Sequence, residues 1–317
     1  MTTQATPLRA QLVQRAALLA RSRAFFAQRG VLEVDTPVLA RSTVTDVHIA
    51  SFQTLPVAGQ PTAYLQTSPE YAMKRLLAAG SGDIYQLGKV FRQEPAGRHH
   101  QPEFTLLEWY RLGFNEHALI DEVDALLHEL LGECVPQSTE IVTYQAAFQR
   151  VLHIDPFTAE TATLRDLATQ HTGARNMDAD DRDTLLDLLM GLRVGPTLGK
   201  ERISFVTEYP ASQAALARLL PGSPPRAARF EAYVEGIELC NGFHELTDAR
   251  EQRARFLQDQ QRRQSMGLAP IPLDEKFLSA LAAGLPDCAG VAVGFDRVVL
   301  LASGARALSD VIHFTLD

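Results

Sequence analysis

The sequence predicts an α+β fold, an antiparallel β-sheet flanked by helices. Three observations carry this. Two strand-like runs, 84–91 and 104–110, are joined by a polar loop as a hairpin. A second strand-like stretch spans 229–245, and a glycine-bounded strand at 290–294 closes the set. The helical blocks between them do not alternate with strands as repeated βαβ units would. With 317 residues, 46% hydrophobic and 21% charged, the chain can bury a substantial core.

The elements follow in order. Residues 10–29 read as a helix with Leu12, Val13, Ala16, Leu19, Ala20 and Phe26 on its core face. Leu18 and Phe25 interrupt the polar face of Gln11, Gln14 and Arg15, half-buried or turned toward another subunit. Gly30 ends this helix, and Val31 to Val34 alternate as a strand stopped by Pro37. Ser68, Pro69 and Glu70 open a short helix as cap, first-turn proline and first-turn acid. Residues 116–131 form an amphipathic helix. The stretch 145–220 reads as a mostly helical insertion or packing layer within a single domain spanning 1–317. Residues 247–266 form an Arg- and Gln-rich helix, and 296–302 an apolar one.

Composition excludes several classes. No apolar run reaches about 18 residues, so no transmembrane helix or membrane partner is expected. No secretory signal pattern opens the chain. Cys134, Cys240 and Cys288 are too few and too scattered for a disulfide frame or a cysteine zinc site, which points to a cytoplasmic location. A formal charge of −8 offers no broad surface to nucleic-acid phosphates.

Three clusters could carry chemistry. The hairpin loop brings Phe91-Arg92-Gln93-Glu94 toward His100-Gln101-Pro102-Glu103-Phe104 and Glu108-Trp109-Tyr110. An Arg at a strand end offers a planar fork for phosphate or carboxylate; the simpler alternative is a solvated tip with ion pairs. In the second cluster, Glu238, Leu239 and Glu245 lie in a glycine-spaced apolar segment. Two such carboxylates suit Mg²⁺ on a polyphosphate, or they are one buried and one exposed acid on a strand edge. His244 between them reads as structural. In the third, Gly294-Phe295-Asp296-Arg297, Gly permits close backbone approach, and the Arg opens a helix where it can face a base or a phosphate.

Order and type together resemble motifs 1, 2 and 3 of class II aminoacyl-tRNA synthetases. Pro37 matches motif 1, Phe91 to Glu94 with His100 to Tyr110 matches motif 2 of the lysyl branch, and Gly294 to Arg297 matches motif 3. The resemblance runs from about residue 10 to the end. Thr43-Val-Thr-Asp-Val-His48, Thr67-Ser-Pro-Glu-Tyr71, Met73-Lys-Arg-Leu76 and Asn241-Gly-Phe-His-Glu-Leu-Thr-Asp-Ala-Arg250 narrow it to the lysyl-tRNA synthetase paralogues that modify elongation factor P. Gln93 and Gln101 depart from it, standing where the family has Asn. Since the core begins close to Met1, no anticodon-reading domain is expected, and tRNA is not expected as a partner.

The resemblance implies a fold, the class II synthetase catalytic core, and a set of roles. Arg92 and Arg297 are the catalytic groups. Arg92, Gln93, Glu94, Gln101, Phe104, Glu238, Leu239, Gly294 and Arg297 bind ATP. Ser68, Pro69, Glu70, Tyr110, Glu245 and Ala292 receive lysine or (R)-β-lysine, and Glu238 and Glu245 hold Mg²⁺. The activity implied is activation of the amino acid to an adenylate and its transfer to a lysine ε-amine of elongation factor P, by a homodimer. Ala292 stands where lysyl-tRNA synthetases carry Gly, and its methyl, if near the Cα ammonium, favours (R)-β-lysine over α-lysine. The alternatives are a minimal tRNA-charging enzyme, a non-catalytic ATP or lysine sensor, and a small-molecule amide synthetase.

Overall fold

Helix α1 (Leu8–Gln28) buries Leu18, Ser22, Phe25 and Phe26, a spacing that places all four on one helical face. The computed structural model describes residues 8–55, 62–172 and 181–315. The expected core face is thereby corrected: Leu12, Val13, Ala16 and Ala20 are exposed. The reason is that two polar residues find partners inside. Gln14 Nε2 donates to the Ala302 carbonyl at 2.7 Å, and Arg15 lies 2.6 Å from the buried Asp296 carboxylate. Leu18 and Phe25 pack in this chain's own core, not against another subunit.

Gly30, at φ +68°, turns the chain into β1 (Leu32–Glu33), followed by β2 (Leu39–Ala40) and β3 (Tyr64–Leu65). Then comes α2 (Glu70–Ala78), with Pro69 and not Ser68 at its N-cap position; Ser68 stands one residue earlier, and its hydroxyl accepts the Glu70 N–H at 3.0 Å. The charged hairpin is β4 (Ile84–Phe91) and β5 (Glu103–Leu112). Next comes α3 (Glu116–Leu131), capped by the Asn115 side chain. After β6 (Thr139–Thr143) come α4 (Tyr144–Leu152), α5 (Thr161–Thr172) and α6 (Arg182–Leu189), then β7 (Ile203–Pro210) and β8 (Leu219–Leu220). The strands β9 (Arg226–Val234) and β10 (Ile237–His244) form a second hairpin. Then follow α7 (Ala249–Ser265), α8 (Glu275–Gly284), β11 (Cys288–Gly294) and α9 (Phe295–Ser303).

Among the described residues one sheet runs β1-β4-β5-β11-β10-β9-β7-β6, with β8 beside β9. Only β1 with β4 and β6 with β7 are parallel; the remaining pairs are antiparallel. The expected helical insertion at 145–220 is helical only in its first part, and 173–180 lies outside the described residues. Its end, β7, is a strand of the main sheet, nearly continuously buried and covered by α4 and α6. A strand buried on both faces loses the alternation by which strands are recognised. No described helix is long and apolar enough to cross a membrane.

The pleat divides the middle of the sheet between two tasks. Leu107, Trp109, Val291 and Val293 pack under α1, α3 and α9. The residues between them, Leu106, Glu108, Tyr110, Gly290, Ala292 and Gly294, face the other way and floor an open cavity. Register aligns Gly290 with Tyr110 and Ala292 with Glu108 on one side, and with Phe243 and Asn241 on the other.

Candidate active site

The cavity has a volume of about 430 Å³, within the range of small-molecule sites. Thirteen of the fifteen residues expected to form the site line it: Ser68, Glu70, Arg92, Glu94, Gln101, Phe104, Tyr110, Glu238, Leu239, Glu245, Ala292, Gly294 and Arg297. Two do not. The Gln93 side chain is exposed, and its backbone N–H donates to the Ala50 carbonyl. Pro69, the N-cap residue of α2, faces a neighbouring cleft beside Pro37 and Pro272.

One end of the cavity is cationic. Arg92 leaves β4 with its guanidinium 5.2 Å above the Phe104 ring, and its Nε is buried without a hydrogen-bond partner. Desolvation pulls its pKa below the ordinary value, although Glu94 and Glu238 oppose this; a guanidinium so placed remains charged. Arg297 enters from the first turn of α9. It donates to the Glu238 carbonyl at 2.6 Å and to the His99 carbonyl at 3.2 Å, and it contacts His100 Nε2 at 3.1 Å. Burial, then the nearby Arg297 charge, hold the His100 imidazole below its usual pKa, so the ring accepts from the guanidinium. Asp296, the neighbour of Arg297, is structural: it takes the Thr105 N–H at 2.6 Å and pairs with Arg15, fixing α9 against β5 and α1.

The other end is acidic. Glu70, Glu108 and Glu245 meet there. Ser68 and Tyr110 each donate a hydroxyl hydrogen to Glu108 at 2.8 Å. Burial, reinforced by Glu70, raises Glu108 to about 8. Burial raises Glu245 to about 7 against the opposing charge of Lys74, whose ammonium lies 2.5 Å away. Tyr110, expected to meet an ammonium, instead spends its hydroxyl on Glu108 and walls Gly290 with its ring. His244 is structural, held between Glu116 and Asp287.

The expected magnesium pair, Glu238 and Glu245, is corrected by this geometry. They bracket β10 from opposite ends, on the order of 20 Å apart along an extended strand, too far to share one ion with ligands near 2 Å. The acid beside Glu238 is Glu231. The β9–β10 register shifts between Glu238 and Cys240, and this bulge puts Glu238 on the same face as Asn241 and Phe243. Opposite Glu238 stands Tyr233, and Glu231 lies two residues away on the same face. Burial and then Glu231 raise the Glu238 pKa. Arg229 at 2.5 Å and the Tyr233 hydroxyl at 2.6 Å hold Glu231 in place.

Several side chains in or behind the cavity wall escaped the sequence reading. Lys74 could have been found from its place one helical turn after Glu70, and Glu231 from its charge within the apolar run Phe230 to Val234. Asp187 of α6 gives no such signal, yet it reaches the cavity wall, where burial raises it to about 6.

A family model for tRNA synthetases class II (D, K and N) matches residues 1–317. The chain is 55% identical over 314 residues to the elongation factor P–(R)-β-lysine ligase of Erwinia tasmaniensis, covering 97% of this chain and 95% of that protein. It is 52% identical over 311 residues to the proteins of the same name from Salmonella dublin and Klebsiella pneumoniae, covering 96% of this chain and 95% of each. With a mainly antiparallel sheet, an arginine from the β4–β5 hairpin and another from the final helix meeting over one cavity, the chain belongs to the class II tRNA synthetases (D, K and N) and is a ligase.

Proposed function

We propose that this protein activates (R)-β-lysine with ATP and transfers the aminoacyl group to a lysine ε-amine of elongation factor P. The observation that supports it best is the division of one cavity: an acidic end for ammonium groups and an arginine-lined end for phosphates, joined by the small side chains of β11. The names of the similar ligases support the choice of substrate and acceptor. Members of this family use ATP and Mg²⁺ in general.

In the first step the substrate carboxylate attacks the α-phosphorus, its P–O bond to pyrophosphate breaks, and pyrophosphate leaves. Arg92 faces the α-phosphate and stabilises the charge gathering there, while Arg297 meets the outer phosphates or the base. Glu94 and Phe104 hold the adenine, one accepting from its amino group and the other stacking on its face. No protein nucleophile is needed, since positioning and fixed charge lower the barrier. In the second step the acceptor amine attacks the activated carbonyl, an amide forms, and AMP leaves with the C–O bond pair.

Glu238, with Glu231 behind it, would hold Mg²⁺, which would supply positive charge for the phosphate oxygens. Arg229 and Tyr233 keep the Glu231 carboxylate oriented in this arrangement. Glu231→Gln is expected to raise the Mg²⁺ concentration needed for half-maximal activity by about tenfold or more, the scale of losses when a metal ligand loses its support. A magnesium titration of amino-acid-dependent ATP–pyrophosphate exchange checks this, with an unmoved midpoint removing Glu231 from the site.

Ala292 supports the β-amino reading. Its methyl stands on the cavity floor between Glu108 and Asn241, where an α-ammonium is crowded and an amine one carbon further along is not. A second copy of the chain is the proposed partner of the exposed apolar side of α1, where Leu8, Leu12 and Val13 are exposed together with Leu32, Val38 and Leu39.

The deciding experiment offers ATP, Mg²⁺ and either lysine isomer to the protein with elongation factor P and bulk tRNA in one tube. Intact mass of the factor and an acid gel of the tRNA show where the label goes. One lysyl unit on the factor, with (R)-β-lysine preferred and that preference reduced in Ala292→Gly, is the expected result. Charged tRNA beside an unmodified factor would overturn the acceptor, and labelling of neither would overturn the ligase reading of this cavity.

A further inference from the structure

Among the described residues Lys74 is the buried lysine, and nothing in the two-step reaction uses it. It projects from α2 behind the acidic end of the cavity, where Glu70 and Glu245 separate it from the open space. Its Nζ lies 2.7 Å from Glu70 Oε1 and 2.5 Å from Glu245 Oε2, with 1% of the side chain exposed. Glu70 stands one turn earlier on the same helix, whereas Glu245 arrives from the far end of β10, so Lys74 ties two separate elements together. The second oxygen of Glu245 has no hydrogen-bond partner. It stands 2.5 Å from the point a Cβ on Gly290 would occupy, at the cavity floor.

Three carboxyl groups, Glu70, Glu108 and Glu245, converge around this one ammonium. Buried acids this close together neutralise by taking up protons unless a cation compensates them. Burial opposes the charge on Lys74, but Glu245 and Glu70 outweigh it and hold its pKa above the ordinary value, so the compensating cation is permanent. When all three carboxyl groups are ionised, one ammonium leaves two of their negative charges unmatched, and the cluster avoids this by keeping protons on Glu108 and, in part, on Glu245. An amino acid with two ammonium groups closes that difference; one with a single ammonium does not.

We propose that Lys74 is a specificity-determining positioning residue, which locks Glu70 against Glu245 and sets the charge deficit of the pocket to that of a diamino acid. This rests on the reading of the cavity as a diamino-acid site. Lys74 touches no reacting atom and acts through the two carboxylates. The groups facing the cluster are Glu70 from α2, Glu108 and Tyr110 from β5, His244 and Glu245 from the end of β10, and Cys288 from β11. Lys74 lowers both Glu108 and Glu245 against the burial that raises them. Its loss moves both upward, so the ionised forms that receive an ammonium are reached only at higher pH.

The test is ATP–pyrophosphate exchange between pH 6 and 9 with (R)-β-lysine and with (R)-3-aminohexanoate, which lacks the terminal ammonium. For Lys74→Met the expected result is a KM for (R)-β-lysine raised about tenfold or more at pH 7, with kcat at saturation changed less than about threefold. The pH dependence of 1/KM moves up by about one unit, and the preference for (R)-β-lysine over the monoammonium analogue shrinks. Lys74→Arg restores the charge and returns the pH dependence toward that of the unaltered protein. An unchanged KM in Lys74→Met, or a joint fall of kcat and kcat/KM without a pH displacement, overturns the proposal.

Should Lys74→Met lose its melting transition, calorimetry on the unaltered protein decides. Binding of (R)-β-lysine at pH 7 is expected to release protons, seen as different apparent enthalpies in phosphate and Tris; equal enthalpies overturn the charge-matching role. If the unaltered protein shows no exchange with (R)-β-lysine, the substrate reading itself fails, a result separate from any outcome with Lys74.

Discussion

Gly290→Ala is expected to lower kcat/KM for amino-acid activation by about a hundredfold, because displacing a substrate by about 1 Å from its reactive position has effects of this size. A Cβ at Gly290 would fall 2.5 Å from Glu245 Oε1 and closer still to the Tyr110 ring. Neither neighbour is a free end that can swing away. The Tyr110 hydroxyl is bonded to Glu108, and Glu245 is paired with Lys74, so the shift passes through the whole acidic cluster. Overpacking of this kind destabilises by about 1–3 kcal/mol, and a modest fall in Tm should accompany the activity loss. Gly294→Ala is the contrasting case on the same face of β11. Its Cβ meets Arg297 Cδ at 3.4 Å, an ordinary contact, and a far smaller loss is expected. Pyrophosphate exchange with both variants checks the pair; equal activities would show that the floor at Gly290 is looser than the contacts indicate.

Arg92→Lys is expected to reduce kcat for activation by about 10²–10³, the range for removing one preorganised group from a developing charge. The substitution keeps a positive charge, so the loss reports the fork and not the charge. Arg92 is desolvated over Phe104, and its Nε has no protein partner, which leaves a planar donor set aimed into the cavity. A lysine there is a point charge on a flexible stem and cannot present two parallel donors to a phosphate. Tm should stay close to that of the unaltered protein, since no protein hydrogen bond to that Nε is given up. Exchange within about threefold of the unaltered protein would remove Arg92 from the reacting phosphate.

How far the sequence disclosed this architecture depends on which physical signal each element carries. The β4–β5 hairpin and the β11–α9 junction were legible because turn residues bracket them and their strands pair locally. The two arginines at the ends of those elements stood out only through the ordered motifs of the family resemblance, since each alone reads equally well as a solvated strand or helix end. Helix α1 was found but rotated, since hydrophobic periodicity counts Gln14 and Arg15 as outward and has no knowledge of the Ala302 carbonyl or Asp296 waiting inside. Strand β7 was missed because burial on both faces erases alternation.

The acidic cluster was half legible. Glu70 and Glu245 could be named one by one, and Lys74 stands at helical pairing distance from Glu70, but its reach across to Glu245 shows only in three dimensions. Glu238 and Glu245 are not a metal pair for another reason: closeness in sequence is not closeness in space along an extended strand. Glu231 comes close to Glu238 through a hairpin register that spacing alone does not reveal.

The bulge between Glu238 and Cys240 gives the two ends of the cavity separate reading frames. On a regular strand, seven residues carry a side chain from one face to the other, so Glu238 and Glu245 would be forced apart onto opposite faces. The single irregular step absorbs that parity. Loss of the extra residue at the bulge would restore a regular strand with six steps between the two acids and leave both facing inward, whereas loss of one residue elsewhere between them would turn one of them away. A gain of two residues there would leave both carboxylates facing inward. The facing of Glu238 and the seating of Glu245 against Lys74 therefore both depend on one local step of β10.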